Sequence, residues 1–236
     1  MAISRHPRFV SNRSMLRDSG SAEPVPAKPT QITLAATAAE RALLEQRCDT
    51  AETRFRSAVP EQLRHLALHP TATHCYLFHG LCPSMPEAVG GFRGTPGTRL
   101  QNARRVVLVK GTADGLRRAD PCDAPDRVAA QMELLQQDMQ IFWNTQRQPD
   151  CLPALADMTF RFFRIHPFLD GNGHVWRLIL IALARRAGLR VSADWTVHAR
   201  PYGPEFSLAL QMFSTRPDLL ASQLSGFATP DPDNSR

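Results

Sequence analysis

The chain has 236 residues, 43% hydrophobic and 21% charged, which supports a packed core and excludes fibrous, collagen-like and fully disordered classes. Its net charge is +6, from 28 basic against 22 acidic residues. The longest apolar run, Leu178 to Ala184, is seven residues, far short of the ~20 of a membrane helix. No apolar stretch near the N-terminus could serve as a signal-peptide core. A soluble, cytoplasmic chain with no membrane partner is therefore expected. In chain order, residues 1–30 hold Ser, Arg, Pro and Gly with few periodic apolar positions and read as a disordered N-terminal tail. An Ala- and Leu-rich stretch of helical spacing runs from about Thr33 to Ala58, giving an N-terminal helical segment over 31–59. Leu63, Leu66 and Leu68 begin a domain that extends over 60–228. Between Gly80 and Gly115 glycines and Pro96 mark turns, and within that region Val106 to Val109 is a β-branched run that predicts a strand. Val128, Met132, Leu135 and Met139 predict a helix over 126–144, and Leu152, Leu155, Met158, Phe162 and Phe163 another ending near Ile165. A helix over 174–187 closes at Gly188, one or two more occupy 204–225, and residues 229–236 read as a disordered C-terminal tail.

Two compositional features bear on ligands. Lys28 and Lys110 are the only lysines, and between Arg161 and Arg200 seven arginines stand against Asp170 and Asp194. That imbalance suggests an anionic ligand, while the usual nucleic-acid motifs are missing, so no nucleic-acid partner is expected. The five cysteines, Cys48, Cys75, Cys82, Cys122 and Cys151, are odd in number and lack CxxC spacing. They read as reduced thiols rather than as a disulfide framework or a structural zinc site.

Chemistry concentrates in His166-Pro167-Phe168-Leu169-Asp170-Gly171-Asn172-Gly173-His174-Val175-Trp176-Arg177, a loop between two apolar helices. Pro167 stops the first helix. Gly171-Asn172-Gly173 opens the second, where outward-pointing N–H groups and the positive end of the helix dipole make a phosphate-sized cradle. Arg177 lies one turn beyond His174 on the same face. Asp170 stands at the mouth, placed for a hard cation such as Mg²⁺ beside phosphates. His166 is the nearby group able to act as a general base near neutral pH. A Gly-Asn-Gly turn alone is as compatible with plain structure. His166, Asp170 and His174 share the spacing of metal ligands on a helix, but Pro167 and the glycines break that helix.

This stretch resembles the signature of the Fic family, HxFx(D/E)GNGRxxR, carried by Fido-fold proteins, with His174 where the family has its first arginine. Phe160 to Ile165 and Leu178 to Gly188 resemble the flanking helices. Gly90-Gly91-Phe92-Arg93 resembles an upstream GxxR turn, and Phe206-Ser207-Leu208-Ala209-Leu210 a C-terminal YxxAL stretch. The resemblance covers about residues 60–225. It implies a mainly α Fido fold, a helical core with a small β-hairpin flap, and transfer of AMP from ATP to a Ser, Thr or Tyr hydroxyl of a target protein. It implies His166 as base, Mg²⁺ on Asp170, the α-phosphate held by Asn172 with the Gly171 and Gly173 amides, and the γ-phosphate held by Arg177. Phe168 would be a core anchor. Val107, Leu108, Val109 and Lys110 would form the flap that pairs with target main chain.

The resemblance implies that His174 is a nucleotide-binding residue at the leaving pyrophosphate, where a histidine is shorter than the arginine it replaces and lacks its fork. The alternative to full adenylyl transfer is a catalytically impaired or donor-switched relative that binds a nucleotide or a partner protein. The family's inhibitory (S/T)xxxE(G/N) helix is not matched: Pro60 interrupts Ser57 to Gln62, and Pro24 follows Ser19 to Glu23. Regulation would then fall to a separate antitoxin-like partner or be absent. A translocated effector acting in another cell's cytosol is the alternative to a protein working where it is made.

Overall fold

Leu178 to Ala184, the apolar run of the sequence, lies in the helix around which the others gather. The computed structural model describes residues 33–109, 118–145 and 150–231. The expected N-terminal tail over 1–30, Lys110 and residues 232–236 lie outside the described residues. The described elements are α1 (Ala38–Ser57), α2 (Pro60–Leu68), α3 (Pro70–Phe78), a 3₁₀ turn (Pro86–Ala88), β1 (Val106–Val109), β2 (Arg118–Pro121), α4 (Pro125–Asn144), α5 (Leu152–Ile165), α6 (Asn172–Arg186), β3 (Leu189–Val191), α7 (Pro204–Met212), α8 (Pro217–Ser225) and β4 (Ala228–Pro230). The architecture is mainly α with a small β hairpin, as expected, and with a second short ribbon that was not expected.

Every residue of α6 from Val175 to Ala184 is buried. A helix apolar on all sides must be surrounded, and α1, α2, α3, α4, α5 and β3 all pack on α6. Each fully buried Leu or Ile there contributes about 1.5–3 kcal/mol, so α6 is a fixed post. Trp176 stacks on Phe162 of α5 at 4.8 Å, and its indole N–H donates to the Thr159 hydroxyl at 3.1 Å. Proline within the first two positions starts α2, α3, α4, α5, α7 and α8, where its missing N–H costs nothing. Only α1 carries a full side-chain cap, a Thr37–Glu40 capping box.

α1 is stitched to the domain by arginines that donate to main-chain carbonyls. Arg56 donates to Val191, Ser192 and Trp195, and Arg185 of α6 donates back to Phe55 and Ala58. β1 pairs antiparallel with β2, from Val106 opposite Pro121 to Val109 opposite Arg118. β3 pairs antiparallel with β4, Arg190 opposite Thr229. The expected disordered tail at 229–236 is corrected at its start. Thr229 and Pro230 are held in this ribbon, and the Asp231 amide donates to the Gly188 carbonyl at 3.1 Å.

α3 was not legible in the sequence, because its inward face, Pro70, Thr73, His74, Leu77 and Phe78, mixes polar with apolar residues. His74 is fully buried, stacked between Phe78 at 4.6 Å and Phe168 at 4.1 Å. Its Nδ1 accepts the Gly90 N–H at 2.9 Å, so the ring proton sits on Nε2, which donates to the Asp170 carbonyl at 3.1 Å. His74 thus ties the Gly90 turn to the loop before α6.

Burial lowers the His74 pKa from 6.5 to about 4. The unfolded chain therefore binds the proton first. The stability that His74 contributes is complete above pH 6.5 and is lost as the pH falls towards 4. At 1.4 kcal/mol per pH unit that loss is about 3 kcal/mol. Denaturant unfolding of the wild type and His74→Gln across pH 4–7 tests this: the variant should lose that share of the acid slope.

Candidate active site

The twelve-residue motif forms one corner between α5 and α6. His166 is the C-cap of α5, and its φ of 51° makes it the one non-glycine residue at positive φ among those described. A left-handed backbone costs a residue with a Cβ about 1–3 kcal/mol, and the surroundings hold it there. The buried Arg93 guanidinium donates through Nε to the His166 carbonyl at 2.7 Å, and through its two Nη atoms to Ile165, Ala103 and Asp123 at 2.7, 2.9 and 3.2 Å. The Arg93 amide donates to the Pro167 carbonyl at 2.8 Å. Ala103 precedes the β1–β2 hairpin and Asp123 follows it, so one guanidinium joins the hairpin base to the corner.

The His166 ring is largely buried, with Nδ1 enclosed and the Phe163 backbone beside the ring. Burial first, then the positive charges of Arg105 and Arg93, lowers its pKa from 6.5 to about 3. At neutral pH the imidazole is uncharged and can accept a proton.

Beyond it, Asn172 closes the loop on itself: its Oδ1 accepts the Phe168 N–H at 3.0 Å and its Nδ2 donates to the Phe168 carbonyl at 2.8 Å. Phe168 is fully buried, the anchor expected of it. Gly171, at φ 77°, is the N-cap of α6. A Cβ there would stand 2.4 Å from the Phe78 ring, so only glycine fits. The first helical amides, those of Asn172, Gly173 and His174, have no acceptor within the helix, an arrangement suited to an anion cradle. The Gly171 amide, expected in that cradle, instead donates to its neighbour Asp170 Oδ1 at 2.7 Å. Asp170 Oδ2 accepts the Leu34 N–H at 3.0 Å, so the entry to α1 lies across the carboxylate. Each carboxylate oxygen keeps a lone pair after these bonds. That donor set suits Mg²⁺, which takes few protein ligands alongside phosphate oxygens and water.

Arg177 is 4% exposed. Its Nε donates to the Val197 carbonyl at 2.9 Å, Nη2 reaches the Val197 and His198 carbonyls, and Tyr202 is a further hydrogen-bond partner. Nη1 lies against Gly173, where a Cβ would stand 2.9 Å away. The guanidinium thus sits at the edge of the cradle and is held from behind by a segment the sequence did not single out, residues 195–202. His174 is placed otherwise than a phosphate ligand on the cradle side. Its ring meets Phe78 edge-on at 5.9 Å and lies 5.7 Å from the His198 ring. The metal-capable grouping among the described residues joins His174 to Cys48 and His198, not to His166 and Asp170.

Val107, Leu108 and Val109 lie in β1, and its described strand partner is β2 alone. The hairpin base is closed by the Cys122 amide on the Arg105 carbonyl at 3.2 Å and the Asp123 amide on the Arg164 carbonyl at 3.1 Å. A cavity of about 400 Å³ lined by Glu61, Arg185, Arg186 and Asp231 opens at the other end of α6, where the dipole disfavours anions. The five cysteines are unbridged. No described helix is long and apolar enough to cross a membrane.

Residues 99–184 match the Fic/DOC family model. No curated protein matches the sequence. In fold the chain is similar to the N-terminal Fic domain of a putative cell filamentation protein, a VirB-translocated Bep effector protein, from Bartonella quintana. The identity is 16% over 80% of this chain and 84% of that one, with a TM-score of 0.51. A structure of such a domain from the same organism with bound ADP gives 15% identity, 88% and 95% coverage and a TM-score of 0.54. BepC protein, a VirB-translocated effector from Bartonella tribocorum with bound AMPPNP, gives 16% identity, 80% and 87% coverage and a TM-score of 0.50. The family match thus lies over the motif itself, and the chain shares its fold with Fic domains.

Proposed function

We propose that the chain is a protein adenylyltransferase that moves AMP from ATP to a Ser, Thr or Tyr hydroxyl of a target protein. The observation that carries this reading is the corner at His166. An uncharged, enclosed imidazole is kept in a backbone conformation that glycine would adopt without strain, beside helix amides that lack acceptors. Strain retained at one residue points to a need for its side chain.

In this reading His166 takes the proton from the incoming hydroxyl as its oxygen bonds to the α-phosphorus and pyrophosphate leaves. The Asn172, Gly173 and His174 amides hold the α-phosphate oxygens as charge develops on them. Asn172 acts through its side-chain closure on Phe168, which sets the loop. Arg177, braced by residues 197–198, faces the terminal phosphates. Asp170 would hold Mg²⁺, which supplies charge neutralisation on the polyphosphate. The β1 edge offers main-chain groups to an extended target segment. ADP and AMPPNP in the similar Bartonella domains support an adenine nucleotide as the ligand. Those effectors also support the alternative in which the chain acts in another cell's cytosol.

A second reading follows from His174, whose ring lies with Cys48 and His198 rather than on the cradle side. Without the motif arginine, the chain would bind a nucleotide with little or no transfer. Incubation with labelled ATP, Mg²⁺ and cell lysate separates the readings: covalent label on a protein acceptor supports transfer, and nucleotide binding without label supports the second.

His166→Ala should lower labelling by roughly 10²–10⁴ while ATP affinity stays unchanged, since the ring does not hold the phosphates. Equal loss of ATP binding would assign His166 a structural role instead. The amides and Arg177 read phosphates and not a base. ATP should nevertheless outcompete GTP, CTP and UTP in the labelling assay, and preferential UTP labelling would sink the adenylyl reading.

A further inference from the structure

We propose that Cys48, His174 and His198 form a binding site for zinc. The three residues come from α1, from the first turn of α6 and from the loop that braces Arg177. Cys48 Sγ and one ring nitrogen from each histidine all lie within 4.8 Å of one another. Ligand atoms on a tetrahedral zinc stand roughly 3.3–3.8 Å apart, so closing on the ion needs side-chain movement of about an ångström. Thiolate and imidazole are the donors zinc prefers, and three protein ligands leave a fourth position for water or an anion.

Three further observations point to a ligand here. His198 Nδ1 is enclosed with no hydrogen-bond partner, an expense that a metal bond removes. Cys48 is fully buried, within reach of both imidazoles. On binding, the Cys48 thiol gives its proton to solvent and the sulfur donates its electron pair to the metal. His174 itself is the third observation. An arginine at this place in the motif could not ligate a metal, whereas the imidazole facing Cys48 and His198 can. Cys48 as an ordinary small core residue accounts for its own burial, but not for two imidazoles gathered on it with one nitrogen unpaired.

Such an ion would tie α1, whose N-terminal entry crosses Asp170, to α6 and to the loop behind Arg177. The inference does not rest on adenylyl transfer, because its test reads metal and not activity.

The full chain, dialysed against metal-free buffer and titrated with zinc, should take up one ion per chain and unfold at a higher temperature, with no such shift from Mg²⁺. Titrated with Co²⁺ it should show thiolate-to-cobalt charge-transfer absorption. Cys48→Ser should abolish that band, and His198→Ala should weaken binding by at least roughly 100-fold, since even groups behind the ligands are worth 10–100-fold. Cys75→Ser, at an exposed cysteine, should change neither. Absence of the cobalt–thiolate band in the wild type overturns the proposal without recourse to any variant. Zinc uptake in a folded Cys48→Ser protein equal to that of Cys75→Ser overturns it too.

Discussion

One buried guanidinium with no carboxylate partner holds the site together. Arg93 is fully enclosed, yet its charge is solvated by the carbonyls of Ala103, Asp123, Ile165 and His166. Arginine cannot shed its proton to escape burial, so the charge persists and demands those four acceptors. Any acceptor left unpaired would cost about 1–3 kcal/mol. The demand is mutual: the carbonyls belong to the left-handed end of α5 and to both roots of the β1–β2 hairpin. Hairpin and His166 corner are therefore held in one arrangement by a residue that touches neither the cradle nor the ring nitrogens.

A second constraint fixes the cradle. α6 is surrounded on all sides, so its position follows from core packing rather than from loop chemistry. The loop that reaches it is closed by Asn172 on Phe168 and by His74 on Asp170. Both motifs use a buried polar side chain to satisfy main-chain groups. The amides of 172–174 stay without acceptors because the N-cap is a glycine, which offers no side chain to them. A Ser or Asp cap would have satisfied one of these donors and filled the space before them.

Charge around the site is arranged the same way. Arg177 is held by the 197–198 carbonyls, Arg56 by the 191–195 carbonyls and Arg185 by the end of α1. These three arginines, like Arg93, thus serve as main-chain clamps, and the arginine surplus that suggests an anionic ligand is partly spent on architecture. Arg185 holds the end of α1 to the end of α6, and the Leu34 amide on Asp170 holds the entry to α1 at the start of α6; Cys48 lies between, beside His174. Helix α1 and the motif at 166–177 consequently share one core.

The sequence by itself determined the order and type of most elements, because they follow from local rules. Val106 to Val109 is a strand, helices cover 126–144 and 152–165, and Gly188 sits at φ 84° beyond α6, each as periodicity and turn residues predict. It also determined the motif, since His166, Asp170, the Gly171-Asn172-Gly173 turn and Arg177 are contiguous and their chemistry is carried by residue type. Tertiary structure alone decided what those residues face. The left-handed His166, the Asp170 bond to Leu34, the bracing of Arg177 by Val197 and the gathering of Cys48, His174 and His198 join positions up to 150 residues apart. Long-range pairs leave no periodic trace in a single chain. The short strands β3 and β4 likewise exist only because each finds the other, three residues being too few to hold a strand without its partner's hydrogen bonds.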